Sequence, residues 1–206
     1  MQHLRTTFTL LAVLAVAGAC SQSPSTTDAG ETDWWSTAIE TLKHEQKAEY
    51  ERQKNKGNDY AWMLTTPEPP ATDADITAAE GRLGTKFDKQ FKDWLHHVNG
   101  WQFYCGADTL FPLSDVSKDS PKAKALRIWL DNADLTPTDV GVDSFDDLIV
   151  IGGAEGAFYI ATVRSDQSRE VAPVYEFGGG VLTHTSFKDF IQANIDLAKD
   201  QVNNPW

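Results

Sequence analysis

Two adjacent histidines, His96 and His97, are the residues whose type most directly suggests metal binding or acid–base chemistry. Neighbouring residues of a helix point about 100° apart, so both imidazoles cannot face one site if this segment is helical. His184 is the only other histidine after residue 58, and no cysteine or histidine stands at the spacing of a metal-ligand set. We therefore interpret these histidines as surface or interfacial residues, and we expect no metal ion and no other cofactor.

Carboxylates are the second group that could act on a substrate. Asp146 and Asp147 could serve as acid and base, but no converging partner is evident in the sequence. They end residues 131–147, the most negative segment of the chain with six aspartates, which is typical of a solvated loop. The glycine-rich residues 152–156 lack the spacing of a phosphate-binding loop and are predicted to form a hairpin turn. The sequence therefore predicts that the protein is not an enzyme and takes no small-molecule substrate.

Cys20 carries the most specific predicted modification. A short positive start precedes an apolar run over residues 8–16, which is too short to span a bilayer, and small residues at 17–19 lead directly to Cys20. This pattern resembles a bacterial lipoprotein signal, in which cleavage falls before the cysteine and the thiol carries lipid. Ser21 resembles the signal for transfer to the outer membrane. We therefore predict a signal peptide over residues 1–19, a lipid anchor on Cys20, and a domain in the periplasm.

The second cysteine, Cys105, leaves two alternatives open. If Cys20 carries lipid, Cys105 is unpaired, and its aromatic setting is typical of a buried strand thiol. If the leader is instead an ordinary secretory signal, a Cys20–Cys105 disulfide could form.

The composition suits one soluble globular domain with appendages. The chain has 206 residues, of which 41% are hydrophobic and 23% charged. The formal net charge of −12 argues against nucleic acid as a ligand, because phosphate binding needs clustered Lys and Arg. An acidic surface favours solubility or a basic protein partner.

The N-terminal third is predicted to lead into the main domain. Residues 20–32 are rich in Ser, Thr, Gly and Pro and read as a lipidated cysteine followed by a flexible tether. A helix over residues 33–57, capped by Asp33, follows, and its charged second half is expected to be solvated, with partner binding as the alternative. Residues 58–206 form the predicted main domain. In the helix over residues 33–57, the side chains that are expected to pack on the main domain are Trp35, Ile39 and Leu42.

Two capped amphipathic helices in the middle of the chain organise the main domain. Thr72 and Asp75 are predicted to cap the first helix, which Gly84 ends. Asp88 is predicted to begin the second, and Asn99-Gly100 to end it. The predicted buried faces are Ile76, Ala79 and Leu83 in the first helix and Phe91, Trp94, Leu95 and Val98 in the second.

This arrangement resembles the SUKH superfamily of Smi/Knr-like domains, which have a Pro-rich lead-in, an I-x-x-x-E helix ending in Leu-Gly, a second helix, and Asn-Gly before a strand. The matching residues are Ile76, Glu80, Leu83-Gly84, Phe91, Leu95, Asn99-Gly100, Gly152-Gly153 and Ser186-Phe187. The resemblance implies the SUKH fold and a role in binding proteins, since these domains are known largely as immunity proteins that neutralise toxins.

The rest of the chain alternates strands and helices. Residues 100–105 are predicted to form a strand with Trp101, Phe103 and Cys105 on one side and Tyr104 on the other. Further strands are predicted over residues 148–151, 157–163, 172–177 and 180–183, and further helices after Ser120 and after Ser186. Helices before and after a run of strands predict an α+β fold, with an antiparallel or mixed sheet flanked by helices.

The favoured function is a membrane-anchored protein-binding module of the immunity type, and its expected partner is a protein such as a basic toxin. An acidic loop beside exposed aromatic residues could meet a cationic surface with fast association and a desolvated anchor. The candidate partner-binding residues are Trp101, Tyr104, Asp143, Asp146 and Asp147. The alternative is an envelope scaffold or sensor lipoprotein without a toxin partner.

Overall fold

The computed structural model describes the backbone of residues 29–203 and the side chains of residues 34–201. Cys20, the predicted signal peptide and most of the predicted tether lie outside the described residues. The helices are α1 (Ala29–Asn55), α2 (Asp73–Leu83), α3 (Lys89–Leu95), α4 (Pro121–Asn132), α5 (Pro137–Val140) and α6 (Phe187–Asn203). The strands are β1 (Trp101–Cys105), β2 (Asp108–Leu110), β3 (Leu148–Ala154), β4 (Phe158–Val163), β5 (Val174–Phe177) and β6 (Val181–His184).

The six strands form one sheet in the order β1-β2-β3-β4-β5-β6, with every neighbouring pair antiparallel. Chain order and sheet order coincide, so each strand pairs with the next one along the chain. β1 and β6 are the edges. The predicted α+β fold is confirmed, and of the two predicted sheet types the antiparallel one is present.

The two faces of the sheet bury two separate apolar clusters. Along β3, Ile149 and Ile151 belong to the larger cluster, whereas Val150 belongs to the smaller one, as the two-residue period of a strand requires. Helices α1, α2, α3 and α6 supply side chains to the larger cluster, and α4 and α5 supply them to the smaller. Since both faces are covered, interaction with other molecules is left to the sheet edges, the loops and the outer faces of the helices.

Local capping explains where the central helices begin. Thr72 accepts a hydrogen bond from the Asp75 N–H at 3.2 Å, and the Asp75 carboxylate accepts from the Thr72 N–H at 2.9 Å. Asp88 accepts from the Phe91 N–H at 3.1 Å, and Ser120 accepts from the Ala123 N–H at 3.1 Å. These predicted starts are confirmed, because capping depends on residues three apart in sequence.

Helix α1 packs on the domain through its first half. Trp35, Ile39 and Leu42 are buried, as the sequence predicts, and α1 contacts α6, β1 and α3. The helix begins at Ala29, before the predicted cap at Asp33. In the second half, Gln46 is buried and reaches the sheet, whereas several of its charged neighbours remain exposed.

Strand β1 corrects the predicted alternation of its side chains. Phe103 has a φ of 56°, and the pairing of β1 with β2 shifts register between Trp101 and Cys105. This bulge turns Tyr104 to the interior, so that Trp101 and Tyr104 are both buried with ring centroids 6.5 Å apart. Phe103, predicted to share the face of Trp101, is partly exposed instead.

The glycines at 152 and 153 lie inside β3 and not in a turn, which corrects the predicted hairpin position. The turn falls at residues 155–157. A Cβ on Gly152 would lie 2.5 Å from the Thr109 carbonyl oxygen of β2. The glycine therefore permits a close approach of two backbones.

Candidate functional site

Two of the predicted partner-binding residues, Trp101 and Tyr104, cannot act as surface anchors in this structure. Their exposed fractions are 0% and 1%. The prediction that they are exposed is wrong, because the bulge at Phe103 places both rings in the core. Burial raises the pKa of Tyr104 well above its ordinary value, with the charges of Asp108 and Cys105 adding to the effect.

The three predicted aspartates lie near one another, but two of them have local structural roles. The Asp147 carboxylate accepts the Ser144 N–H at 3.1 Å and caps a short 3₁₀ helix. Asp146 forms an ion pair with Arg127 of α4. Asp143 is exposed, and no hydrogen bond to its carboxylate is found among residues 34–201. Because Trp101 and Tyr104 are buried, the predicted pairing of an acidic loop with these aromatic anchors does not form.

Cys105 has the environment of an inert thiol. It is buried, and its Sγ lies 3.6 Å from the Asn194 carbonyl oxygen of α6. Burial first, and then the nearby carboxylates of Asp108 and Glu176, raises the pKa of the thiol to about 12. A thiol that stays protonated at neutral pH is a poor nucleophile.

The histidines are held separately. His97 Nδ1 lies 2.8 Å from the Asp93 carbonyl oxygen, whereas His96 Nε2 lies 3.4 Å from the Asp73 carboxylate. His184 lies in β6, with Nε2 2.7 Å from Glu176. Within the described part of the chain, no three His, Cys, Asp or Glu side chains converge to hold a metal ion.

Glu80, the acidic residue of the helical motif, is a structural ion-pair partner. Its side chain is 5% exposed, accepts the Phe87 N–H at 3.0 Å, and pairs with Lys86 at 2.8 Å and Lys92 at 3.2 Å. Burial opposes ionisation, but the hydrogen bonds from Lys86, Phe87 and Lys92 outweigh it and lower the pKa of Glu80. A carboxylate stabilised in its charged form by three donors is unsuited to act as a general acid.

Asp108 gives a pH-dependent prediction. Burial, followed by the charge of Glu176, raises its pKa to about 6, and no hydrogen bond to its carboxylate is found among residues 34–201. The unfolded chain has a pKa near 4, so the folded state binds more protons between about pH 4 and pH 6 and loses stability as the pH rises through that range. We expect Asp108→Asn to raise the free energy of unfolding by about 1–2 kcal/mol at pH 7.5 and to leave it nearly unchanged at pH 4.

Urea denaturation at the two pH values measures this difference, and Asp119→Asn, at an exposed position, is the matched control. Equal stability of Asp108→Asn and the natural protein at pH 7.5 would contradict the argument. Burial also raises the pKa of Asp88 to about 6. The stability of the Asp108→Asn variant is therefore still expected to fall as the pH rises, but less than that of the natural protein.

An open cleft of about 430 Å³ lies beside the β1 edge of the sheet. Five segments form it: the lead-in before α2, the start of β1, the stretch from Ala107 to Asp115, Lys122 of α4, and the end of β3 with Glu155. The partly exposed apolar and aromatic residues of its lining are Phe103, Phe111, Pro112 and Ala154. This concave surface brings residues of β1, β2 and β3 together.

Along the side of this cleft, three backbone carbonyls on the outer edge of β1 already accept hydrogen bonds from other segments. The Gly100 carbonyl accepts the Glu68 N–H at 2.8 Å, the Gln102 carbonyl accepts the Thr65 hydroxyl, and the Phe103 carbonyl accepts Gln46 Nε2 at 2.8 Å. A further strand could not form a regular ladder here without displacing these donors. A strand-like ligand would therefore find no free carbonyl acceptor at these three positions of β1.

An exposed aromatic group adjoins the cleft. Trp62 is 50% exposed and packs edge-on against Phe103 of the cleft lining, with ring centroids 4.9 Å apart. Tyr60 lies 5.9 Å from Trp62, and Leu64 is also exposed. Half-exposed aromatic rings beside a cleft are typical of contact surfaces for proteins.

The rim of the cleft is acidic. Glu68, Asp115 and Glu155 are exposed, and no ion pair to any of the three is found among the described side chains. Lys122 is the basic residue of the lining, but its Nζ donates to the carbonyl oxygens of Ala154 and Gly156 and lies 5.3 Å from the ring centre of Tyr159. The cleft lining thus carries three carboxylates without an ion-pair partner among the described side chains and one ammonium group that donates hydrogen bonds to backbone carbonyls.

Sequence reasoning missed this cleft, although one local signal was available. The segment from Tyr60 to Pro70 places two aromatic residues before three prolines, and prolines keep a chain extended and out of helices. Exposed aromatic residues on a rigid extended segment could have suggested a contact surface. Their proximity to Asp115 and Glu155 depends on the sheet, so it could not be inferred.

Comparison with known proteins identifies one family. A sequence model described as the SMI1 / KNR4 family (SUKH-1) matches residues 70–193, which is more than half of the chain. The match includes the cleft lining from Gly100 to Glu155 and excludes Glu68, Trp62 and all of α1. No curated protein matches the chain. In the range 29–203, none of the helices combines the length and apolar content needed to cross a bilayer.

Proposed function

The chain belongs to the SMI1/KNR4 family (SUKH-1), and on that premise we propose that it is a membrane-anchored protein-binding module that neutralises a toxin partner. The family is known for immunity-type proteins and is generally non-enzymatic, and its members bind proteins. Membership of this family is the observation that carries the proposal.

The charge and surface of the chain support a basic protein as the partner. The net charge is −12, and the acidic cleft beside exposed aromatic rings offers both steering and contact area. Among the described residues, the buried thiol, the separated histidines and the paired Glu80 provide no reactive constellation. The toxin is expected to act in the envelope or to be met on entry, because the proposed anchor places the domain outside the inner membrane.

A protection assay tests the immunity function. Cells that lack the gene are challenged by competing strains, with and without the full chain supplied on a plasmid. We expect survival only with the full chain, together with a complex that can be purified from detergent-solubilised membranes and that weakens steeply as salt is raised. Equal survival of both cultures against every competitor would overturn the immunity function and favour the scaffold or sensor alternative.

The anchor gives a separate prediction. Two or more acyl chains on one cysteine suffice for stable membrane attachment, at about 0.8 kcal/mol for each buried methylene. We therefore expect Cys20→Ser in the full chain to move the protein from the membrane fraction to the soluble periplasmic fraction. Ser21→Ala is the matched control and should stay in the membrane fraction. Retention of Cys20→Ser in the membrane fraction would contradict the lipid anchor.

A further inference from the structure

We propose that the cleft beside β1 binds a basic, non-strand segment of the partner and takes an arginine or lysine side chain between its acidic rim and its aromatic rings. This inference rests on the proposed function, because it names the surface and the chemistry by which the module would recognise its protein partner.

The charges of the cleft select a cation. Glu68, Asp115 and Glu155 come from three separate segments, and none of them has an ion-pair partner among the described residues. Lys122 directs its ammonium group to two backbone carbonyls and the Tyr159 ring and forms no ion pair with the rim, so three carboxylates against one ammonium group leave the lining negatively charged. Like-charged groups around one concave surface raise the local concentration of the opposite charge.

The backbone around the cleft selects against a strand. The carbonyl groups of Gly100, Gln102 and Phe103 already accept hydrogen bonds from Glu68, Thr65 and Gln46. An added strand would have to break these bonds before it gained its own. A turn or loop that projects a long side chain into the cleft needs no such exchange.

The aromatic rings provide the apolar part of the contact. Trp62 is half exposed and packs edge-on against Phe103, which lines the cleft together with the three rim carboxylates. A guanidinium group can stack on the face of an aromatic ring while it donates hydrogen bonds to a carboxylate. Because prolines flank Glu68 on both sides, the segment that carries this carboxylate is conformationally restricted before binding.

A peptide titration tests the chemistry without a known partner. The probe is a capped peptide that carries arginine residues within a run of Gly, Ser and Asn, a composition that favours loops and turns over strands, and the comparison peptide carries citrulline at every arginine position. The full chain in mild detergent is titrated with each peptide while tryptophan fluorescence is followed. We expect saturable binding of the arginine peptide that weakens with salt, and at least about tenfold weaker binding of the citrulline peptide.

Two triple variants with the same change in charge locate the surface. The cleft variant is Glu68→Gln/Asp115→Asn/Glu155→Gln. The control variant is Asp131→Asn/Asp134→Asn/Asp166→Asn, whose positions are exposed and lie outside the cleft lining. We expect the cleft variant to bind the arginine peptide about tenfold more weakly and the control variant to bind it within about twofold of the natural protein. Circular dichroism checks that both variants are folded.

The outcomes separate this inference from the proposed function. Equal affinity for the two peptides, no saturable binding of the arginine peptide, or a loss of affinity in the control variant alone would overturn the cleft assignment. If the full chain protects cells and the cleft variant protects them equally well, the immunity function stands and the cleft is not its binding surface. If the peptide binds at the cleft but no protection is found, the cation site stands and the immunity function fails.

Discussion

Replacement of Trp35 by alanine is expected to destabilise the domain by about 3–5 kcal/mol, because a fully buried aromatic side chain would be replaced by a cavity. Trp35 is 0% exposed, and its ring centre lies 4.6 Å from that of Trp34 and 6.1 Å from those of Trp94 and Phe187. It therefore joins α1, α3 and α6 in one cluster. Guanidinium denaturation followed by circular dichroism measures the loss.

The matched control is Trp62→Ala, which removes the same side chain from a half-exposed position and should cost about 1 kcal/mol or less. A similar loss for the two variants would show that α1 is only loosely attached. The comparison matters because α1 lies wholly outside the matched segment 70–193, yet it supplies some of the largest side chains of the core. The folding unit is thus expected to be longer than the family segment.

Replacement of Gly100 by alanine is the second change with a large expected effect. Gly100 has a φ of 104°, and an added Cβ would lie 2.6 Å from the backbone nitrogen of Pro112. Backbone strain and displacement of the Pro112 segment together should lower the free energy of unfolding by about 2–5 kcal/mol. Urea denaturation measures the change.

Gly84→Ala separates the backbone strain from the steric displacement. Gly84 also has a positive φ, of 63°, but nothing lies within 4 Å of the added Cβ, so only the conformational part remains, about 1 kcal/mol. A Gly100→Ala variant as stable as Gly84→Ala would contradict the predicted clash. The packing of the segment around Pro112 gives a physical reason for the Asn99-Gly100 motif. Asn99 Oδ1 accepts the Leu113 N–H at 2.9 Å, and Gly100, which has no Cβ, leaves room for the Pro112 backbone.

The parts of the fold that the sequence predicts well are those set by local chemistry. The caps at Thr72, Asp88 and Ser120 depend on donors and acceptors within three residues, and the antiparallel pairs β3–β4, β4–β5 and β5–β6 join strands that follow one another closely along the chain. The inward face of α1 was also predictable, because Trp35, Ile39 and Leu42 recur at helical spacing.

The site could not be predicted in the same way. A single residue, Phe103, adopts a positive φ, and that bulge reverses the side chain of Tyr104 from the face that strict alternation assigns. The acidic rim combines Glu68, Asp115 and Glu155, which are brought together only by the pairing of β1, β2 and β3. A count of aspartates along the chain favours residues 131–147 instead, although two of its three candidate carboxylates are held by Arg127 and Ser144.

The closure of the β1 edge by Gln46 links the position of α1 to the tendency of the protein to aggregate. Gln46 belongs to α1, and its amide holds the Phe103 carbonyl and the Thr65 hydroxyl that together protect the strand. A chain in which α1 has detached therefore leaves the Phe103 carbonyl of this strand edge without its donor and exposes the apolar surface beneath Trp35 at the same moment. Both favour strand-to-strand association between molecules, so the helix outside the family segment also keeps the sheet from extending into a neighbouring copy.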